Sequence, residues 1–109
     1  MSQLLMTSDS AFEADVLLAQ VPVLVDFGAA WCQPCRRLDP ILEELAGEWS
    51  GKVKIVRLDV DANPGATVRC GVMGVPTVIL FVDGHEVERL SGFQPKSRLL
   101  DRLGPHLGV

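Results

Sequence analysis

The sequence predicts an α/β fold, a mixed β-sheet of about five strands flanked by about four helices in the order β-α-β-α-β-α-β-β-α. Three stretches carry that expectation. Val21–Ala29, VPVLVDFGA, is apolar and β-branched almost throughout without alternating, as befits a strand covered on both faces. After Cys32, apolar residues recur at three and four (Leu38, Ile41, Leu42, Leu45, Trp49), the stripe of an amphipathic helix. Thr77–Val82 and Glu86–Leu90 flank Asp83-Gly84, the turn chemistry of a hairpin.

Taken in order, Gln3–Met6 reads as a short strand. The segment SDSAFEADVLLA then places Phe12, Val16 and Leu17 at helical spacing, with Ser8 or Asp9 as the N-cap. Pro40 sits inside the long helix, where it cannot donate to the carbonyl of Arg36, so a kink is expected. Lys52–Val60 is the next strand, and Asn63-Pro64-Gly65 supplies turn chemistry before a short irregular helix. In the last segment Leu99, Leu100, Leu103 and Leu107 form one stripe, which Gly104-Pro105 is expected to end or break. Phe12, Phe27, Trp49 and Phe81 read as core, while His85, His106, Glu43, Glu44 and Glu48 read as solvated. No repeat or linker divides the chain, so residues 1–109 are expected to form one domain.

Composition narrows the function. A net charge of −4 with scattered Lys and Arg disfavours nucleic acid, and no apolar run is long enough for a membrane span. The amino-terminal MSQLLMTSDSAF lacks the basic, apolar and small-residue parts of a secretory signal, so a cytoplasmic location is the expectation; a monomer is expected as well. A reducing compartment does not preserve structural disulfides, and three cysteines are an odd number for a staple framework.

Cys32 and Cys35 nevertheless lie three apart where the buried strand has ended and the helix begins. On one helical turn their Cβ atoms are ~5–6 Å apart, so a disulfide can close or open with little backbone movement. Pro34 suits a first turn, where an N–H has no helical partner. The free amides and positive dipole end there stabilise a thiolate, the attacking species. Cys32, nearer the helix start and expected to be more exposed, is the nucleophile; Cys35, one turn inside, is the resolving thiol. Arg36 either adds favourable charge or is simply a solvated arginine. A zinc module is disfavoured, because Cys70, His85 and His106 lack knuckle spacing. Asp26, an acid within VLVDF, is expected to be buried with its pKa raised by desolvation.

At these residues the chain resembles the thioredoxin family. VLVDFGAAWCQPCRRLDPILEEL is similar to its active-site segment, usually D-F-[WG]-A-x-W-C-G-P-C-[KR]. NPG at Asn63–Gly65, GVPTVILF at Gly74–Phe81, Asp83-Gly84 and Gly92 follow in family order and spacing. The resemblance implies a thioredoxin fold and a thiol–disulfide oxidoreductase that reduces protein disulfides through Cys32 and Cys35. It implies no cofactor beyond that redox-active disulfide, and an NADPH-dependent flavoprotein reductase as the partner that resets it. It further implies a cis-proline at Pro76, exposing the Val75 backbone to a substrate strand. Trp31, Gly74, Val75 and Gly92 match the docking surface, with Gln33 and Pro34 between the cysteines. Asp26 matches a buried proton-exchange aspartate, and Arg57 stands where a lysine is usual, able to hold Asp26 ionised.

Two positions depart from the pattern: Gln33 replaces the usual Gly, and Gly28 stands where many members carry Trp. Cys70 matches no family position and reads either as a buried inert thiol or as an exposed one near the docking surface. A binding or chaperone module that uses the same surface without redox turnover is the alternative function.

Overall fold

Residues 4–108 are described by the computed structural model. They form β1 (Leu5–Met6), β2 (Val23–Gly28), α1 (Gln33–Glu48), β3 (Lys54–Asp59), α2 (Pro64–Arg69), β4 (Thr77–Val82), β5 (His85–Ser91) and α3 (Lys96–Leu107). Of the first expected strand, Gln3 lies outside the described residues. The sheet order is β1-β3-β2-β4-β5. β1, β3 and β2 run parallel, whereas β4 and β5 are antiparallel to their neighbours.

All six residues of β2 are buried, as the unbroken apolar run requires. Strand periodicity sorts them between two cores. Leu24 joins Leu38, Leu42, Leu45, Trp49, Leu99 and Leu103 in the layer that α1 and α3 bring to one face. Val23, Val25 and Phe27 face Phe12, Val16 and Ala66 on the other. Phe12 and Phe81 meet edge to face there, with centroids 5.9 Å apart. Both layers are dominated by fully enclosed aliphatic side chains, each contributing roughly 1.5–3 kcal/mol relative to an exposed position.

Three expectations change. The helix foreseen from Ser8 or Asp9 is a single wide turn, Glu13–Leu17, closed by the Leu18 N–H donating to the Glu13 carbonyl. Ser8 Oγ does accept from the Ala11 N–H, but Asp9 is drawn elsewhere. Its carboxylate accepts from the N–H groups of Gly65 and Ala66 at 3.0 and 2.7 Å, capping α2 from 56 and 57 residues away. Asn63, the residue before α2, makes no side-chain cap. Secondly, α3 continues through Gly104-Pro105 to Leu107 and ends at Gly108, in the left-handed conformation at φ 72°. Pro105 lacks only one donor, in the final turn, and its ring is exposed, so the helix tolerates it. Thirdly, Leu100 is exposed while Leu99 and Leu103 are buried, so the stripe is narrower than the leucine spacing suggests. α1 passes through Pro40 unbroken.

The hairpin turn is as read. Asp83 and Gly84 both have positive φ, 53° and 79°, matching the twist of a two-residue hairpin. A Cβ at Gly84 would lie 2.7 Å from the Leu17 carbonyl oxygen, so glycine is required there for space as well as conformation.

Removing the long-range cap tests this account. Asp9→Ala should lower stability by roughly 1 kcal/mol in chemical denaturation. A Cβ at Gly65 would approach Asp9 Oδ2 to 2.9 Å. Gly65→Ala should therefore cost less in the Asp9→Ala background than alone; equal costs would mean that Asp9 does not hold α2.

Candidate active site

β2 ends at Gly28, and four residues later Cys32 stands at the N-cap of α1 with extended backbone, φ −90° and ψ 110°. Pro34 occupies the first turn, where its missing N–H costs no helical bond. Cys32 and Cys35 are joined in a disulfide with Cα atoms 5.3 Å apart, inside the range that needs no backbone shift. Cys32 Sγ accepts from the Cys35 N–H at 3.2 Å. A helix-end amide is thus aimed at the sulfur nearest the dipole's positive end, the arrangement that stabilises negative charge there.

The expected difference in exposure is absent. Cys32 is 3% and Cys35 6% accessible, because the Cys32 side chain folds back over the helix end that it caps. What separates the two sulfurs is their surroundings. Cys35 faces inward along a cavity of about 360 Å³, lined also by Asp26, Gly28, Arg36, Asp39 and Arg57. A Cβ at Gly28 would sit 3.5 Å from Cys35 Sγ and 3.9 Å from Asp26 Oδ1. The Cys35 sulfur and the Asp26 carboxyl therefore converge on the space that the glycine leaves open.

Asp26 is 2% accessible, on the α1 side of β2. Its Oδ1 is buried without a hydrogen-bond partner, while Oδ2 accepts from Arg57 Nε at a long 3.4 Å. Burial pushes the carboxyl up to about 6; Arg57 opposes the rise and the negative charge of Asp39 adds to it. Arg57 pulls Asp26 toward its ionised form, as a fixed cation does, while it also bonds Asp39 through Nη2. One guanidinium serves two carboxylates.

Around the cysteines, Val75–Pro76 is the cis peptide foreseen. The Pro76 carbonyl accepts from the Gly92 N–H at 2.7 Å, and Gly92 sits at φ 81°. Thr77 Oγ1 donates to the Gly74 carbonyl at 2.7 Å. Trp31, 67% accessible, is held by its indole N–H donating to Asp61 Oδ2 at 2.7 Å. Trp31, Gly74 and Val75 share one shallow groove of about 190 Å³, lined also by Met73, itself 99% accessible. Gly74, Val75, Pro76 and Gly92 share a second, of about 340 Å³. Gln33 is exposed and Pro34 half-buried, and neither lines these grooves.

Arg36 donates to the Ala30 carbonyl at 2.6 Å, tying down the loop. Cys70 is half-buried against the second core layer, and burial pushes its thiol up. Sequence reasoning missed Asp39, Asp61 and Met73. Asp39, four residues after Cys35, lies on the same helix face, but its partner Arg57 is supplied by another element. Among the described residues no cluster of three His, Cys, Asp or Glu is placed for a metal ion, and no helix is long and apolar enough to cross a membrane.

A disulfide with ordinary Cα separation, at a helix N-terminus and beside a buried carboxyl, defines a thiol–disulfide oxidoreductase. The thioredoxin family model matches residues 3–104. The thioredoxin of Staphylococcus haemolyticus is 51% identical over 84 residues, covering 77% of this chain and 81% of its own. That of Staphylococcus aureus is 50% identical over the same shares. The chain belongs to the thioredoxin family and is a protein-disulfide oxidoreductase.

Asp26 makes stability depend on pH. The folded protein keeps this proton up to about pH 6, whereas an ordinary carboxyl releases it near 3.8. Stability from this group is complete below 3.8 and declines by about 3 kcal/mol as pH rises through 6. Oxidised Asp26→Asn should therefore gain stability relative to the parent protein between pH 3.8 and 7. A difference in urea midpoint that is independent of pH would contradict this.

Proposed function

We propose that the protein reduces disulfides of partner proteins in two exchanges, with Cys32 as nucleophile and Cys35 as resolving thiol. The Cys32 thiolate attacks a substrate disulfide, forming a mixed disulfide and releasing one substrate thiolate. Asp26 then takes the proton of Cys35, whose thiolate attacks Cys32 Sγ. The Cys32–substrate bond breaks, the second substrate thiolate leaves and takes up a proton, and the Cys32–Cys35 disulfide forms. Two electrons pass to the substrate. The observation that carries this reading is the unpartnered Asp26 Oδ1, directed at the same small space as Cys35 Sγ.

The grooves beside Trp31 and beside Pro76 accept the substrate segment, whose backbone pairs with Val75 as an added strand. Trp31, Gly74, Val75, Pro76 and Gly92 supply this docking surface, and Gln33 and Pro34, outside the grooves, meet the substrate next to the cysteines. Arg57 moderates Asp26. The chain works as one domain and a monomer in the cytoplasm, with no metal or organic cofactor and no nucleic acid or membrane partner. An NADPH-dependent flavoprotein, thioredoxin reductase, restores the dithiol.

Insulin reduction separates the steps. Cys32→Ser should abolish activity and form no adduct, whereas Cys35→Ser should accumulate the mixed disulfide, visible by mass spectrometry. Asp26→Ala should slow resolution by about 10²-fold where Asp26 is ionised in the parent protein, and flatten the pH dependence of that step. An unchanged profile would remove Asp26 from the mechanism.

A further inference from the structure

We propose that Asp39 is a positioning residue that draws Arg57 away from Asp26 and thereby sets the acidity of the buried carboxyl. Its place in the reaction rests on the reading above, in which Asp26 accepts the Cys35 proton.

The register across the sheet sets up the competition. Arg57 on β3 lies directly opposite Asp26 on β2, an arrangement that by itself favours a close ion pair. Instead the guanidinium divides. Nη2 takes Asp39 Oδ1 on α1, and only Nε reaches Asp26 Oδ2, at 3.4 Å. Asp39 is about a quarter exposed and Asp26 almost wholly enclosed, so the guanidinium is shared between a partly solvated acid and a buried one. The enclosed acid is left with one weak bond and one empty oxygen.

The charge balance gives the same result. When both acids are ionised, two negative charges flank one positive charge beside the cavity that Cys35 also lines. One cation cannot neutralise both, so the pair retains a proton to higher pH than either acid alone with Arg57. The other charged groups facing this space are Arg36 on α1, bonded to the Ala30 carbonyl, and Asp59 at the end of β3. Glu43, one turn beyond Asp39, adds negative charge to Asp39. β1 contributes Met6 and β4 places Val78 opposite Asp26, both uncharged. Removing Asp39 takes away one repulsion and frees Arg57 to close on Asp26; both effects make Asp26 more acidic. As a proton acceptor Asp26 must hold a proton only loosely at neutral pH yet bind it well enough to take it from a thiol, so its acidity is what Asp39 adjusts.

Direct titration of the Asp26 carboxyl by 13C NMR, in the intact oxidised protein, is the test. Asp39→Asn should shift its midpoint down by about one pH unit. Asp39→Glu, which keeps a carboxylate on this face, should shift it by less than half as much. In an Arg57→Gln background the effect of Asp39→Asn should fall to less than half. An unmoved or raised midpoint in Asp39→Asn overturns the proposal, and so does an undiminished effect in the Arg57→Gln background, which would mean direct repulsion without competition. The pH profile of mixed-disulfide resolution in Asp39→Asn should follow the midpoint downward. If the titration moves and the rate profile stays, the link from Asp39 to Asp26 stands and the assignment of Asp26 as proton acceptor falls.

Discussion

β2 is enclosed on both faces along its whole length, and that constraint settles where the chemistry lies. A strand with no solvent side must sort its residues between two packed layers. Leu24, Asp26 and Gly28 fall on the α1 side, and Val23, Val25 and Phe27 fall on the other. The first set thus carries a large apolar group, then an acid, then no side chain at all, reading toward the cysteines. Anchored by Leu24 against the leucines of α1, the strand delivers its acid beneath the first turn of that helix. It delivers an opening where Cys35 needs room. The same packing fixes the start of α1, and with it the amide directed at Cys32 Sγ.

The cost of this arrangement is electrostatic. Placing a carboxyl in an apolar layer without full hydrogen bonding is unfavourable by several kcal/mol when it is ionised. Arg57 relieves part of that cost, but it is shared, and burial still raises the acid to about 6. A carboxyl with a raised pKa beside a disulfide is the kind of perturbed group that clusters at reactive sites. Among the described residues no other buried side chain of the fold shows such a compromise. Its other buried polar side chains are satisfied, as with Thr7, which donates to Asp15, and Thr77, which donates to Gly74.

Rigid supports surround the cysteines, each from a different part of the chain. Asp61 holds the Trp31 indole, the Gly92 amide holds the Pro76 carbonyl, and Arg36 holds Ala30. The side chains around the cysteines consequently sit on supports that are already bonded.

Local pattern was enough for the sheet, the hairpin, the long helix and the cysteine pair, because each is governed by periodicity, turn chemistry or spacing within a few residues. The unalternating run named β2 correctly, Asp83-Gly84 named its turn, and the position of Cys32 at a helix start followed from the change of period around it. The burial of Asp26 was also legible, since an acid between valine, leucine and phenylalanine has nowhere else to go. Tertiary structure decided the rest. Asp9 caps a helix more than fifty residues away instead of starting its own, and Arg57 divides between two acids on different elements. Cys32 is covered although it begins a helix, because its sulfur turns back to meet an amide. Hydrophobic periodicity is a property of neighbours along the chain, whereas a charge seeks whichever opposite charge or free amide the fold brings nearest.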